Sequence, residues 1–173
     1  MNRFLPAAAF MLSLSSLASA GTAPQSPPAS PCPSMPEWRQ FDFWLGQWDV
    51  LDGGKVIATS TIEKSTGDCI VHEHYVEPDG YRGKSVNFFD PTLRRWRQTW
   101  VDSIGNVSEF SGVYREGAMR FVGETHVAGG RRVLRKLTFF KLPGGRVRQF
   151  SEKSIDGGKT WSVGYDYEYV RRR

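Results

Sequence analysis

The sequence predicts an all-β fold, an antiparallel up-and-down β-barrel of about ten strands, and three observations carry that expectation. The first is a series of nine turn signals beyond Gln47, from Asp52-Gly53-Gly54 to Asp156-Gly157-Gly158, and nine turns join ten strands. The second is that the intervening segments are rich in Val, Thr, Phe, Tyr and Trp, and too short to hold a strand plus a crossover helix. The third is period-two alternation, which places one row of side chains on each face of a strand. A single open sheet of that size would twist strongly and expose two edges, so closure is the economical solution, with a two-sheet sandwich as the alternative.

Taken from the N-terminus, residues 1–20 read as a signal peptide: Arg3 gives a positive start, Phe4 to Leu17 is largely apolar, and Ala18-Ser19-Ala20 is a small-x-small cleavage pattern before Gly21. No Cys follows that point to carry a lipid, and no later run is apolar enough to span a bilayer. The expected location is extracytoplasmic, periplasmic or secreted. Residues 21–36 form a Pro-rich leader, since Pro24, Pro27, Pro28, Pro31, Pro33 and Pro36 deny the backbone both helix and ladder hydrogen bonds. Residues 37–173 are the barrel domain. The net charge of +5 is a mild bias and not the signature of a polyanion-binding chain; the hydrophobic content of 39% and aromatic content of 13% exclude a disordered one.

Cys32 in the leader and Cys69 near the start of a later strand are the only cysteines, and an oxidising compartment favours a disulfide between them. Free thiols, or a bridge from Cys32 to another molecule, are the alternatives. From Pro36 to Gly46 the chain opens with Pro, spaces Trp38, Phe41 and Trp44 along one stripe, and ends on Gly, the pattern of a short helix at one barrel mouth. That stripe is either a cap on the core or a lid over a ligand cavity.

Among the strands, Trp96, Gln98 and Trp100 share a face opposite Arg95 and Arg97, so they are expected inside. Phe110, Gly112 and Tyr114, then Met119, Phe121 and Val127, are expected inside on the same ground. In the last strand Trp161, Val163, Tyr165, Tyr167 and Tyr169 alternate with mostly polar residues. Residues 69–77, 84–89 and 132–142 mix apolar and polar groups on both faces and resist assignment.

The stretches Phe41-Asp42-Phe43-Trp44-Leu45-Gly46-Gln47-Trp48-Asp49-Val50, Gly83-Lys84-Ser85-Val86-Asn87-Phe88-Phe89-Asp90 and Trp96-Arg97-Gln98-Thr99-Trp100-Val101-Asp102 resemble a family of secreted bacterial proteins of unknown function. Its members look like calycins, the lipocalin-like barrels, and the resemblance covers residues 37–173. It implies a fold but carries over no catalytic or ligand residues. Haem-binding relatives among ten-stranded barrels use a His near the C-terminus; the last His here is His126, so neither haem nor another cofactor is expected.

Several motifs bear on function. Ser154-Ile155-Asp156-Gly157-Gly158-Lys159-Thr160-Trp161 matches an Asp-box hairpin, in which the Asp folds onto turn amides, and a single copy has structural meaning only. His72 and His74 share a face, the spacing of two metal ligands, but no third ligand is placed by sequence, and no metal is expected. Glu73, Asn87, Gln98 and Gln149 are polar residues on otherwise apolar strands; they imply either a wet cavity or an internally satisfied network. There is no Gly-x-Ser-x-Gly, His-Glu-x-x-His or phosphate-cradling Gly loop.

The expected function is therefore binding of a small apolar or amphipathic molecule, without chemistry, in a cavity lined by Trp96, Gln98, Trp100, Tyr165 and Tyr167. Two alternatives are an enzyme of the same fold using Glu73 with His74 as acid and base, and an interaction module with a filled core. The expected protein is a monomer or weak dimer with no nucleic-acid partner and no stable membrane anchor; the basic runs Arg171-Arg172-Arg173 and Arg131-Arg132 could meet anionic lipids or nucleic acid, but solvated charge is the simpler reading.

Overall fold

The computed structural model describes residues 27–127 and 129–172. The expected signal peptide and the first part of the leader lie outside the described residues. The chain forms a closed ten-stranded barrel in which every neighbour in sequence is a neighbour in space and β1 also pairs with β10. The strands are β1 (Gly46–Asp52), β2 (Lys55–Ser65), β3 (Ile70–Val76), β4 (Arg82–Asp90), β5 (Arg95–Asp102), β6 (Val107–Arg115), β7 (Ala118–Val127), β8 (Arg131–Lys141), β9 (Val147–Ser154) and β10 (Ser162–Arg171). All pairs are antiparallel, and each connection falls on a turn signal of the sequence.

One end of the barrel is plugged. The segment before β1 is not one continuous helix: α1 (Pro36–Arg39) is a single turn, followed by a 3-10 turn at Asp42–Trp44. The break lets Phe41 and Trp44 turn into the barrel, where both are fully buried. Their rings stack with centroids 4.9 Å apart, and Phe41 meets Phe139 edge-on at 5.0 Å and Trp96 at 5.6 Å. Trp48 Nε1 donates to the Trp44 carbonyl at 2.9 Å, and Trp96 Nε1 donates to Gln40 Oε1 at 3.1 Å. The stripe is thus the core's cap.

Cys32 and Cys69 form a disulfide, with Cα atoms 5.1 Å apart. It fastens the leader to the β2–β3 turn at the plugged end, and Ser30 Oγ adds a hydrogen bond to the Gly67 carbonyl at 2.6 Å.

The last strand departs from simple alternation. Between Val163 and Tyr165 the β9–β10 register shifts by one residue, a bulge at Gly164. Tyr165, Tyr167 and Tyr169 follow it on the inner face, but Val163, at 59% exposure, and Trp161 lie outside, where Lys136 Nζ sits 4.0 Å from the Trp161 ring centre. The Asp-box hairpin forms as a structural turn: Asp156 accepts from the Thr160 amide and from the hydroxyls of Ser154 and Thr160.

Because the disulfide closes a loop between residues 37 positions apart, its removal in Cys32→Ser/Cys69→Ser is expected to cost about 4 kcal/mol by the chain-entropy relation. Urea unfolding of the double variant, and of wild type with and without reductant, measures that loss; superimposable curves would contradict it.

Candidate functional site

Beyond the plug, the barrel interior changes character in two tiers. The first is a polar floor. Ser60, Glu73, Ser85, Asn87, Gln98, Gln149 and the Tyr169 hydroxyl all point inward at mid-height, and each is buried. Gln98 Nε2 donates to Asn87 Oδ1 at 2.6 Å, and Asn87 Nδ2 donates to Ser85 Oγ at 2.9 Å. Ser85 Oγ donates to Glu73 Oε2 at 3.3 Å, and Ser60 Oγ donates to Glu73 Oε1 at 3.0 Å. The Tyr169 hydroxyl lies 2.7 Å from Gln149 Oε1 and 3.1 Å from Glu73 Oε1.

A phenol has one proton, so Tyr169 can donate to only one of these two oxygens. The nearer acceptor is Gln149 Oε1, and Glu73 Oε1 is the second oxygen that faces the hydroxyl. Burial, the largest influence, pushes the Glu73 carboxyl up to about 7, against the opposing hydrogen bonds from Ser60, Tyr169 and Ser85. Hydrogen bonds thus run from Gln98 through Asn87 and Ser85 to Glu73, which Ser60 and the Tyr169 hydroxyl meet from the other side.

The second tier is a cavity of about 450 Å³ between this floor and the end opposite the plug. Tyr75, Trp100, Phe110, Leu137, Tyr165 and Tyr167 supply its apolar area. Tyr165 and Tyr167 stack with centroids 4.5 Å apart, while Tyr75 meets Trp100 edge-on at 6.0 Å. Trp100 can lie against β4 because residue 83 is Gly; a Cβ there would overlap the indole. Burial, first among the causes, raises the phenols of Tyr75, Tyr81 and Tyr165, so they stay neutral hydrogen-bonding groups.

The rim carries Glu77, Asp79 and Asp102. Burial tends to raise the Asp102 carboxyl, but hydrogen bonds from the Asn106 amide (2.9 Å) and side chain (2.8 Å), Tyr81 (2.9 Å) and the Ile104 amide (3.1 Å) outweigh it and hold the group below its ordinary value. Those bonds also fix the β5–β6 turn at the mouth.

Of the residues expected from sequence, Gln98, Trp100, Tyr165 and Tyr167 line one cavity. Trp96 does not: it is buried in the plug, because it sits four residues nearer the closed end than Trp100 on the same face. The Glu73/His74 acid–base pair is not formed, since adjacent strand residues point to opposite sides of the wall. Glu73 is 3% exposed inside the barrel, whereas His74 is exposed outside and His72 bonds Ser65 Oγ at 2.6 Å. Among the described residues no three His, Cys, Asp or Glu side chains gather as a metal site. Sequence reasoning missed Tyr75, Tyr81, Asp102 and Arg135, all on the cavity wall. The signal for Arg135 was Val133-x-Arg135-x-Leu137-x-Phe139, masked by Leu134 and Phe140 on the other face.

Comparison with protein-family models and with curated proteins yields no match. Fold and site together define a closed antiparallel β-barrel, plugged at one end, with a cavity at the other that suits a ligand-binding barrel.

Glu73 makes stability depend on pH. Its folded value near 7 lies above the ordinary 4.5, so its stabilising contribution is complete below about 4.5 and is lost as pH rises through about 7. Relative to wild type, Glu73→Gln is expected to gain about 2 to 3 kcal/mol of unfolding free energy between pH 5 and pH 8. Urea unfolding of both proteins across that range tests this; parallel pH profiles would refute it.

Proposed function

We propose that this protein is an extracytoplasmic binding protein that holds one small amphipathic molecule in the barrel cavity, without catalysing its conversion. The cavity itself carries the reading: its volume of about 450 Å³ lies within the range of small-molecule sites, and its wall combines aromatic area with a few directional polar groups. A filled-core interaction module would leave no such space. The disulfide supports an oxidising compartment, and no described helix is long and apolar enough to cross a membrane. The predicted signal peptide and the resemblance to secreted lipocalin-like proteins point the same way. Trp100, Tyr165 and Tyr167 supply the stacking surface, and Gln98 presents polar atoms from the floor. Trp96 acts only indirectly, by supporting the plug.

Native mass spectrometry of the exported protein, with extraction of co-purifying small molecules, is expected to show one bound species per chain. Trp100→Ala, which removes a large share of the aromatic wall, is expected to weaken retention of that species about tenfold or more while the fold survives. An empty wild-type protein whose tryptophan fluorescence responds to no member of a panel of lipids and pigments would overturn the proposal.

A further inference from the structure

Arg135 is the one cation on the described cavity wall. It projects inward from β8 between Val133 and Leu137, and its Nε donates to Thr125 Oγ1 at 2.7 Å. Thr125 is held in turn by Ser108 Oγ at 2.8 Å, so the guanidinium is anchored from one side by a short hydroxyl chain. Gly164, the bulge residue of β10, leaves room beside it: a Cβ there would stand 3.2 Å from Arg135 Nη1. Among the described residues no carboxylate lies within ion-pair distance of the Arg135 guanidinium, and its two terminal nitrogens have no hydrogen-bond acceptor.

The acids of the cavity do not neutralise it. In the ring order of the barrel, β3 and β8 stand five strands apart, diametrically opposed, so Glu73 and Glu77 belong to the far wall. Asp102 is committed to Tyr81 and the β5–β6 turn, and Asp79 is an exposed rim residue that accepts from the Tyr81 amide. A guanidinium that is fixed in position, partly desolvated and left with a free two-nitrogen fork is suited to bidentate contact with a carboxylate, sulfate, sulfonate or phosphate.

We infer that the ligand is an amphipathic organic anion, with its oxyanion paired to the Nη fork of Arg135 and its apolar body laid against Trp100, Tyr165 and Tyr167. This rests on the cavity being a binding site, and it adds the sign of the ligand's charge and the residue that reads it.

Two fluorescent probes with one aromatic body separate the ideas: 8-anilinonaphthalene-1-sulfonate carries an anion and N-phenyl-1-naphthylamine carries none. Wild type is expected to bind the sulfonate about tenfold more tightly than the neutral amine. Arg135→Gln is expected to remove that preference by weakening the sulfonate alone, with amine binding changed less than about twofold; Arg135→Lys, which keeps the charge but not the fork, falls between. Arg115→Gln, on the exposed outer surface, serves as control and is expected to leave both affinities unchanged. Equal affinities in wild type, or an Arg135→Gln variant that keeps the preference with an unaltered near-UV circular dichroism spectrum, would overturn the charge assignment and leave the binding site standing. Binding of neither probe would overturn both.

Discussion

A ring of ten strands encloses more volume than the inward side chains of its own wall can fill. Barrels of eight strands are just wide enough for side chains to meet at the axis, and each further strand widens the bore. Here the excess is filled at one end only. Phe41 and Trp44 arrive from outside the sheet and complete an aromatic cluster with Trp48, Trp96, Phe121 and Phe139. Each buried ring of that kind removes on the order of 150–250 Å² from water, and concentrating them at one end gives the chain a conventional core. The other end is thereby free to stay open. The disulfide acts on the same constraint, because it holds the incoming leader against the end that the leader's neighbours must fill.

Between plug and cavity the chain interposes polar groups, and these bond to one another. An apolar cavity floor would stay dry, whereas a floor of unpaired polar atoms would cost several kcal/mol per group. The network avoids both, since Gln98, Asn87 and Ser85 bond in sequence to Glu73, and Ser60 and Tyr169 meet the same carboxyl, with Tyr169 also reaching Gln149. A fully paired network of this sort fixes side-chain positions better than aliphatic packing does, because a rotated amide would break two bonds at once. The floor presents Glu73, Gln98 and Gln149 to the cavity from one rigid assembly.

Much of this was legible in the residues. Turn chemistry is local, so Gly- and Asp-containing turns read out the strand count without reference to the rest of the fold. Facing was legible where one face is clearly charged, as with Arg95 and Arg97 opposite Trp96, Gln98 and Trp100. Depth was not: period-two alternation says which side of the wall a residue occupies, and nothing in it distinguishes Trp96 at the plug from Trp100 at the cavity. The Gly164 bulge was missed for a related reason. One inserted residue inverts the parity before it, so Trp161 and Val163 look continuous with Tyr165 while pointing outward. Whether the inward polar residues signify a cavity or an internal network proved not to be a choice, since a single set of side chains serves as both.

Arg135 shows why a binding site is where local rules fail. On an apolar strand face, between Val133 and Leu137, an arginine opposes burial, and in a dry interior without a counter-ion it would cost several kcal/mol. The barrel tolerates it because the guanidinium borders open volume, where water or a ligand can complete its solvation, and because Thr125 satisfies Nε. Across the bore stand Glu73, whose carboxyl burial pushes up to about 7, and Tyr75, whose phenol stays neutral, and Arg135 has no ion-pair partner among the described residues. Of the acids nearest the mouth, Asp102 is tied to the β5–β6 turn, Glu77 accepts from the Tyr75 hydroxyl at 2.9 Å, and Asp79 is open to solvent, where screening is strong. The charge that destabilises the empty protein is therefore also the one with most to gain from an occupant of opposite sign, which links the cost of the open cavity to its selectivity.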